Sequence, residues 1–131
     1  MSLMALVVDD SMLIRHTVCR YLEERGFEVE SATDGEEALE ILSRVRPNVI
    51  ITDLQMPKMS GTELIAALKD KPETVSIPIV VLTSRQGRSV TTEQGANFAI
   101  YKDIDIETQL EKVLKQALGA RAVKTHASSK K

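Results

Sequence analysis

The stretch "ALVVDDSM", Ala5 to Met12, places two carboxylates, Asp9 and Asp10, directly after a four-residue apolar run. Three later runs end in comparable groups: "VIITD" in Asp53, "IVVLTS" in Thr83 and Ser84, and "FAIYK" in Lys102. Taken singly, each has an ordinary explanation. Asp is favoured in turns and at helix starts, Thr is common in strands, and Lys usually lies at the surface. Together they offer three hard oxygen donors, hydroxyls and an amine. Carboxylates brought within a few ångströms raise one another's pKa unless a cation neutralises them. An oxygen-only cluster suits Mg2+, which keeps several waters and prefers a site shared with a phosphoryl group. Cys19 is the only cysteine and His16 lies in a helical stretch, so the group does not suit zinc. A carboxylate beside Mg2+ can attack phosphorus and form an aspartyl phosphate. Thr83 can then donate to a phosphoryl oxygen and Lys102 can offset its charge.

That chemistry requires all of these positions to meet on one rim. Strand runs are read at Ala5–Val8, Phe27–Ala32, Val49–Thr52, Ile79–Leu82 and Phe98–Tyr101. Helical stretches separate them. Ser11 caps a first helix with Ile14, Val18, Tyr21 and Leu22 on one face and Gly26 at its end. Asp34 with Glu37, and Ser60 with Glu63, read as capping boxes for a second and third helix, the second stopped by Pro47. A last helix aligns Ile106, Leu110, Val113, Leu114 and Ala117 before Gly119. Alternating strands and helices predict an α/β fold, a doubly wound parallel sheet joined by right-handed crossovers. "VIIT" and "PIVVL" are apolar at nearly every position, as in strands covered on both faces, whereas "FEVESA" alternates like an edge strand. The expected architecture is flavodoxin-like, five strands in the order 2-1-3-4-5 with helices on both faces. Ligands in such sheets bind outside the carboxyl ends of the strands, where the strand order reverses. Asp9, Asp10, Asp53, Thr83 and Lys102 all fall there.

Composition supports one ordinary globular domain. The 131 residues are 43% apolar and 27% charged, enough for a continuous core without disulfides or metal staples. No apolar run reaches the length of a membrane span and no signal peptide opens the chain, which suggests a cytoplasmic protein. All 19 acidic residues and 13 of the 17 basic ones precede Gly119, so that body is acidic and DNA is not the expected partner. The tail 120–131 carries Arg121, Lys124, Lys130 and Lys131 and no acid, and reads as a basic, solvated terminus.

In combination and order, "VVDDS", "IITDLQMPKMSG", "IVVLTS", "QGAN" and "IYK" resemble the receiver domain of two-component response regulators, over about Met4 to Gly119. The resemblance implies that Asp53 is the phosphoacceptor, taking a phosphoryl group from a sensor histidine kinase or phosphotransfer protein. It implies that Asp9, Asp10, Asp53 and the backbone carbonyl of Gln55 hold Mg2+. Thr83 would move toward the phosphoryl group and Lys102 would pair with it, while Pro57 and Gly61 shape the acceptor loop. No output domain is expected after Gly119. Signalling would then run through a downstream protein target, a phosphorelay, or phosphorylation-dependent dimerisation.

The chain departs from the family pattern in three places. Asp103 follows Lys102 where receivers usually have Pro. Ala99 occupies the position of the usual aromatic switch residue, and strand alternation puts Tyr101 on the same side, as its partial replacement. The segment between Thr83 and Lys102 is also shorter than usual by about one helical turn, and its "RQGRSVTTEQG" predicts a short or irregular helix. Gln55 and Arg85 take variable positions flanking the acceptor, Arg85 being read as facing solvent. Three rival functions fit the sequence less well. An aspartate phosphohydrolase needs a second Asp two residues after the nucleophile, where Gln55 stands. A flavodoxin-like carrier needs aromatic platforms, and the chain has two Tyr, two Phe and no Trp. A pseudo-receiver acting without phosphorylation would not need the complete triad with Thr83 and Lys102. No reaction is expected of the chain beyond its own phosphorylation and dephosphorylation.

Overall fold

A polar side chain closes the first turn of each helix, and these caps fix where the chain turns back over the sheet. The computed structural model describes residues 3–83, 96–102 and 105–119. Ser11 Oγ accepts from Ile14 N at 3.3 Å and starts α1 (Met12–Glu24). Asp34 Oδ1 accepts from Glu37 N at 2.9 Å and starts α2 (Gly35–Leu42). Ser60 and Glu63 form a complete capping box for α3 (Gly61–Lys69), and Asp105 caps α4 (Ile106–Leu118) through Thr108. Gly26, with φ of 91°, takes the left-handed conformation just past α1 that a side chain would resist.

The strands are β1 (Met4–Val8), β2 (Glu28–Ala32), β3 (Val49–Asp53), β4 (Ile79–Thr83) and β5 (Phe98–Tyr101). All pairings are parallel and the order is β2-β1-β3-β4-β5, as the sequence predicts. The central strands β1, β3 and β4 are buried over nearly their whole length because both faces are covered. On one face Ala5, Val7, Ile51 and Leu82 pack with Val18 and Leu22 of α1 and Leu110 and Leu114 of α4. On the other, Leu6, Val8, Ile50 and Val81 pack with Ile41 of α2 and Leu64, Ile65 and Leu68 of α3. Alternation along each strand produces these two cores.

Three local features differ from the sequence reading. Phe27 precedes β2 rather than starting it; its amide donates to Leu22 O at the end of α1, and its ring is buried. Glu37 does not complete a capping box with Asp34; its carboxylate accepts from Thr33 N and Thr33 Oγ1 at 2.8 and 2.9 Å. Helix α2 ends at Leu42, several residues before Pro47. The irregular helix expected between Thr83 and Lys102 falls at positions 84–95, outside the described residues, as does the basic tail.

Candidate functional site

The carboxyl ends of β1 and β3 are adjacent in the sheet, which brings Asp9 and Asp53 together. Asp9 N donates to Ala32 O at 3.0 Å, continuing the β1 ladder one residue beyond Val8. The Asp9 side chain is fully buried. Its Oδ1 accepts from Ser11 N at 2.8 Å, and Arg15 Nη1 donates to its backbone carbonyl at 2.8 Å. The next residue, Asp10, is exposed. Adjacent acids thus occupy opposite environments, and Ser11 rather than either Asp caps the helix.

Asp53 is buried at the end of β3, where Oδ1 accepts from Leu54 N at 2.9 Å. The loop after it is held closely. Gly61 N donates to Leu54 O at 2.8 Å, and a Cβ on Gly61 would come within 2.7 Å of Leu54 Cα and closer still to Asp53 O. Gly35 N donates to Met59 O at 3.0 Å from the start of α2. Within this loop Lys58 has φ of 65°, an uncommon conformation for a residue with a side chain. Gln55 and Pro57 lie exposed in the same loop.

Lys102 follows β5 and reaches back across the end of β4. Its Nζ lies 3.1 Å from Asp53 Oδ1 and 3.3 Å from Asp9 Oδ2. Apart from that ion pair, Asp9 Oδ2 is a buried oxygen with no hydrogen-bond partner. Burial pushes the Asp9 carboxyl above its ordinary range and the negative charge of Asp53 adds to this, against the Ser11 amide and Lys102. Burial works against the Lys102 charge, but Asp53 and Asp9 together outweigh it and raise its pKa. Thr83 is half-buried at the end of β4; its carbonyl accepts from Lys102 N at 2.7 Å, and it pairs in register with Tyr101. Ser84, Arg85 and Asp103 lie outside the described residues.

One oxygen from each of Asp9, Asp10 and Asp53 lies within 4.8 Å of the others. The donors fit: three carboxylates gather here, the ion pairs of Lys102 Nζ reach Asp9 and Asp53, and beyond its ion pair the buried Asp9 Oδ2 has no hydrogen-bond partner. The cluster can therefore hold a divalent metal ion. Sequence reasoning singled out all three acids together with Thr83, Lys102 and Gly61. It did not single out Arg15, Gly35 or Gln109, whose partners are backbone atoms and leave no sequence motif.

The response regulator receiver domain family matches residues 5–115. The response regulator MprA of Mycobacterium leprae is 34% identical over 111 residues, which cover 82% of this chain and 48% of that protein. The chain thus spans about half the length of the curated relatives it matches. A putative response regulator from Chloroflexus aurantiacus superposes with a TM-score of 0.84 at 29% identity, covering 90% of this chain and 98% of that one. The chemotaxis response regulator CheY4 of Vibrio cholerae superposes with a TM-score of 0.79 at 33% identity, covering 89% and 99%. The chain belongs to the response regulator receiver domain family of two-component systems and has its CheY-like fold. Among the described residues no helix is long and apolar enough to cross a membrane.

Proposed function

We propose that Asp53 accepts a phosphoryl group from the phosphohistidine of a sensor histidine kinase or phosphotransfer protein. The observation that carries this reading is Lys102 Nζ at 3.1 Å from Asp53 and 3.3 Å from Asp9, on a rim where three carboxylates gather. Asp9, Asp10, Asp53 and the backbone carbonyl of Gln55 would hold Mg2+. Bound there, the ion supplies positive charge to the acids and to a phosphoryl oxygen. In the transfer, an Asp53 carboxylate oxygen forms the new O–P bond while the donor P–N bond breaks. The electron pair leaves on the imidazole nitrogen, which takes up a proton. Lys102 offsets phosphoryl charge and Thr83 donates its hydroxyl to a phosphoryl oxygen. This reading assigns the chain only its own phosphorylation and dephosphorylation.

Output then runs through altered affinity for a partner protein or for a second copy of the chain. Tyr101 pairs in register with Thr83 at the edge of the site, which supports the proposal that it partly replaces a switch ring at Ala99. Unchanged phosphorylation-dependent partner affinity in Tyr101→Ala would remove that part. The acceptor itself is tested by incubation with acetyl phosphate and Mg2+ followed by intact mass. Wild type gains one phosphoryl group and Asp53→Asn gains none. A wild type that gains nothing supports the non-phosphorylated adaptor reading instead.

A further inference from the structure

Strand β5 is an edge strand, so every second residue turns its backbone N–H and C=O away from β4. Lys102 N faces inward and donates to Thr83 O at 2.7 Å. Tyr101, one residue earlier, faces outward. Buried or half-buried backbone groups of this kind need partners, and a neighbouring strand would normally supply them. Here one side chain of α4 does so. Gln109 Oε1 accepts from Tyr101 N at 2.9 Å, and Gln109 Nε2 donates to Tyr101 O at 2.9 Å. The same Nε2 donates to Asp105 O at 3.1 Å, tying the clamp to the start of α4.

We infer that Gln109 is a positioning residue for Lys102, its amide standing in for a missing strand and fixing the backbone that aims the ammonium at Asp53 and Asp9. The inference rests on the reading of Lys102 as the phosphoryl partner. The Lys102 stem spans the end of β4, so a small rotation of the Tyr101–Lys102 backbone moves Nζ by ångströms. Side-chain amides suit this task because one group provides a donor and an acceptor in a plane, like a peptide unit.

Two measurements on the full chain test it. The 15N signal of the Lys102 ammonium is followed by NMR in the metal-free protein, where no phosphoryl donor is needed. Gln109→Leu is expected to move that signal toward those of exposed lysines. Phosphorylation by acetyl phosphate with Mg2+ is then timed with Gln109 or Leu at that position, in wild-type and Lys102→Ala backgrounds. With Lys102 present, loss of the amide should slow phosphorylation about tenfold, within the ~100-fold that ångström-scale misplacement can cost. In the Lys102→Ala background it should change nothing, because the residue it positions is gone. An equal loss in both backgrounds, or an unmoved Lys102 signal, overturns the inference. If Gln109→Leu does not fold, Gln109→Glu keeps the acceptor, loses the donor, and should give intermediate shifts in both measurements; wild-type values there overturn the inference. A wild type that is not phosphorylated removes the acceptor reading alone, and the NMR shift still decides the link from Gln109 to Lys102.

Discussion

Lys102 Nζ lies 3.1 Å from Asp53 Oδ1 although their strands, β5 and β3, are separated by β4. The contact depends on parallel strands ending at one level, so that a four-carbon stem can cross an intervening strand end. It places a cation between two buried carboxylates. Removing one partner of a fully buried ion pair costs about 3–5 kcal/mol, because the other charge stays buried. The Lys102 side chain keeps 24% exposure, so the expected loss for Lys102→Ala is smaller, about 1–2 kcal/mol. Urea denaturation in EDTA measures it, and unchanged stability would contradict the role of the pair.

Divalent metal should stabilise the fold by mass action. At a free Mg2+ concentration of about 100 Kd the gain is about 2.7 kcal/mol, visible as a higher thermal midpoint that EDTA reverses. Asp10→Asn removes an exposed carboxylate without disturbing the core and should abolish most of that increment. An undiminished Mg2+ effect in this variant would remove Asp10 from the ligand set.

Asp9 and Lys102 should each make stability in EDTA fall with rising pH, in separate ranges. Asp9 has a folded pKa above its ordinary 3.8, so the native state holds this proton more tightly than the unfolded state. Its contribution is complete below 3.8 and is lost as pH rises through the folded value. Lys102 has a folded pKa above its ordinary 10.5, so its contribution is complete below 10.5 and is lost as pH rises through the higher folded value. Urea midpoints against pH read both ranges. Lys102→Ala should reduce the alkaline fall, the remainder belonging to Tyr21 and Cys19, whose pKa values are raised too, by burial; an undiminished fall would take it away from Lys102.

The loop after Asp53 should tolerate change at Ser60 better than at Gly61. Ser60→Ala removes one half of a capping box and should cost about 1 kcal/mol. Gly61→Ala drives a Cβ into the backbone of Asp53 and Leu54, with an expected cost of about 1–3 kcal/mol and slower phosphorylation of Asp53. Denaturation together with the acetyl phosphate assay separates the two effects. Wild-type phosphorylation in Gly61→Ala would show that the loop shape does not govern the phosphorylation proposed for Asp53.

Much of the fold was legible because its causes are local. Apolar runs and capping residues recur at spacings that only alternating strands and helices satisfy, and the fully apolar "VIIT" against the alternating "FEVESA" separates interior from edge. The Asp34–Glu37 pair shows where this reasoning stops. Its spacing suits a reciprocal cap, yet the Glu37 carboxylate turns to Thr33 instead. Both arrangements satisfy the same sequence pattern, and only the path of the chain out of β2 selects between them.

By itself the chain order of residues determined which groups stand at the strand ends, since strand periodicity and strand order are properties of the pattern. Tertiary structure decided their states. It buried Asp9 while exposing Asp10, carried Lys102 across β4 to both carboxylates, and set the Gln109 amide on the outer edge of β5. Those outcomes depend on distances between segments far apart in the chain, where burial and charge act through space.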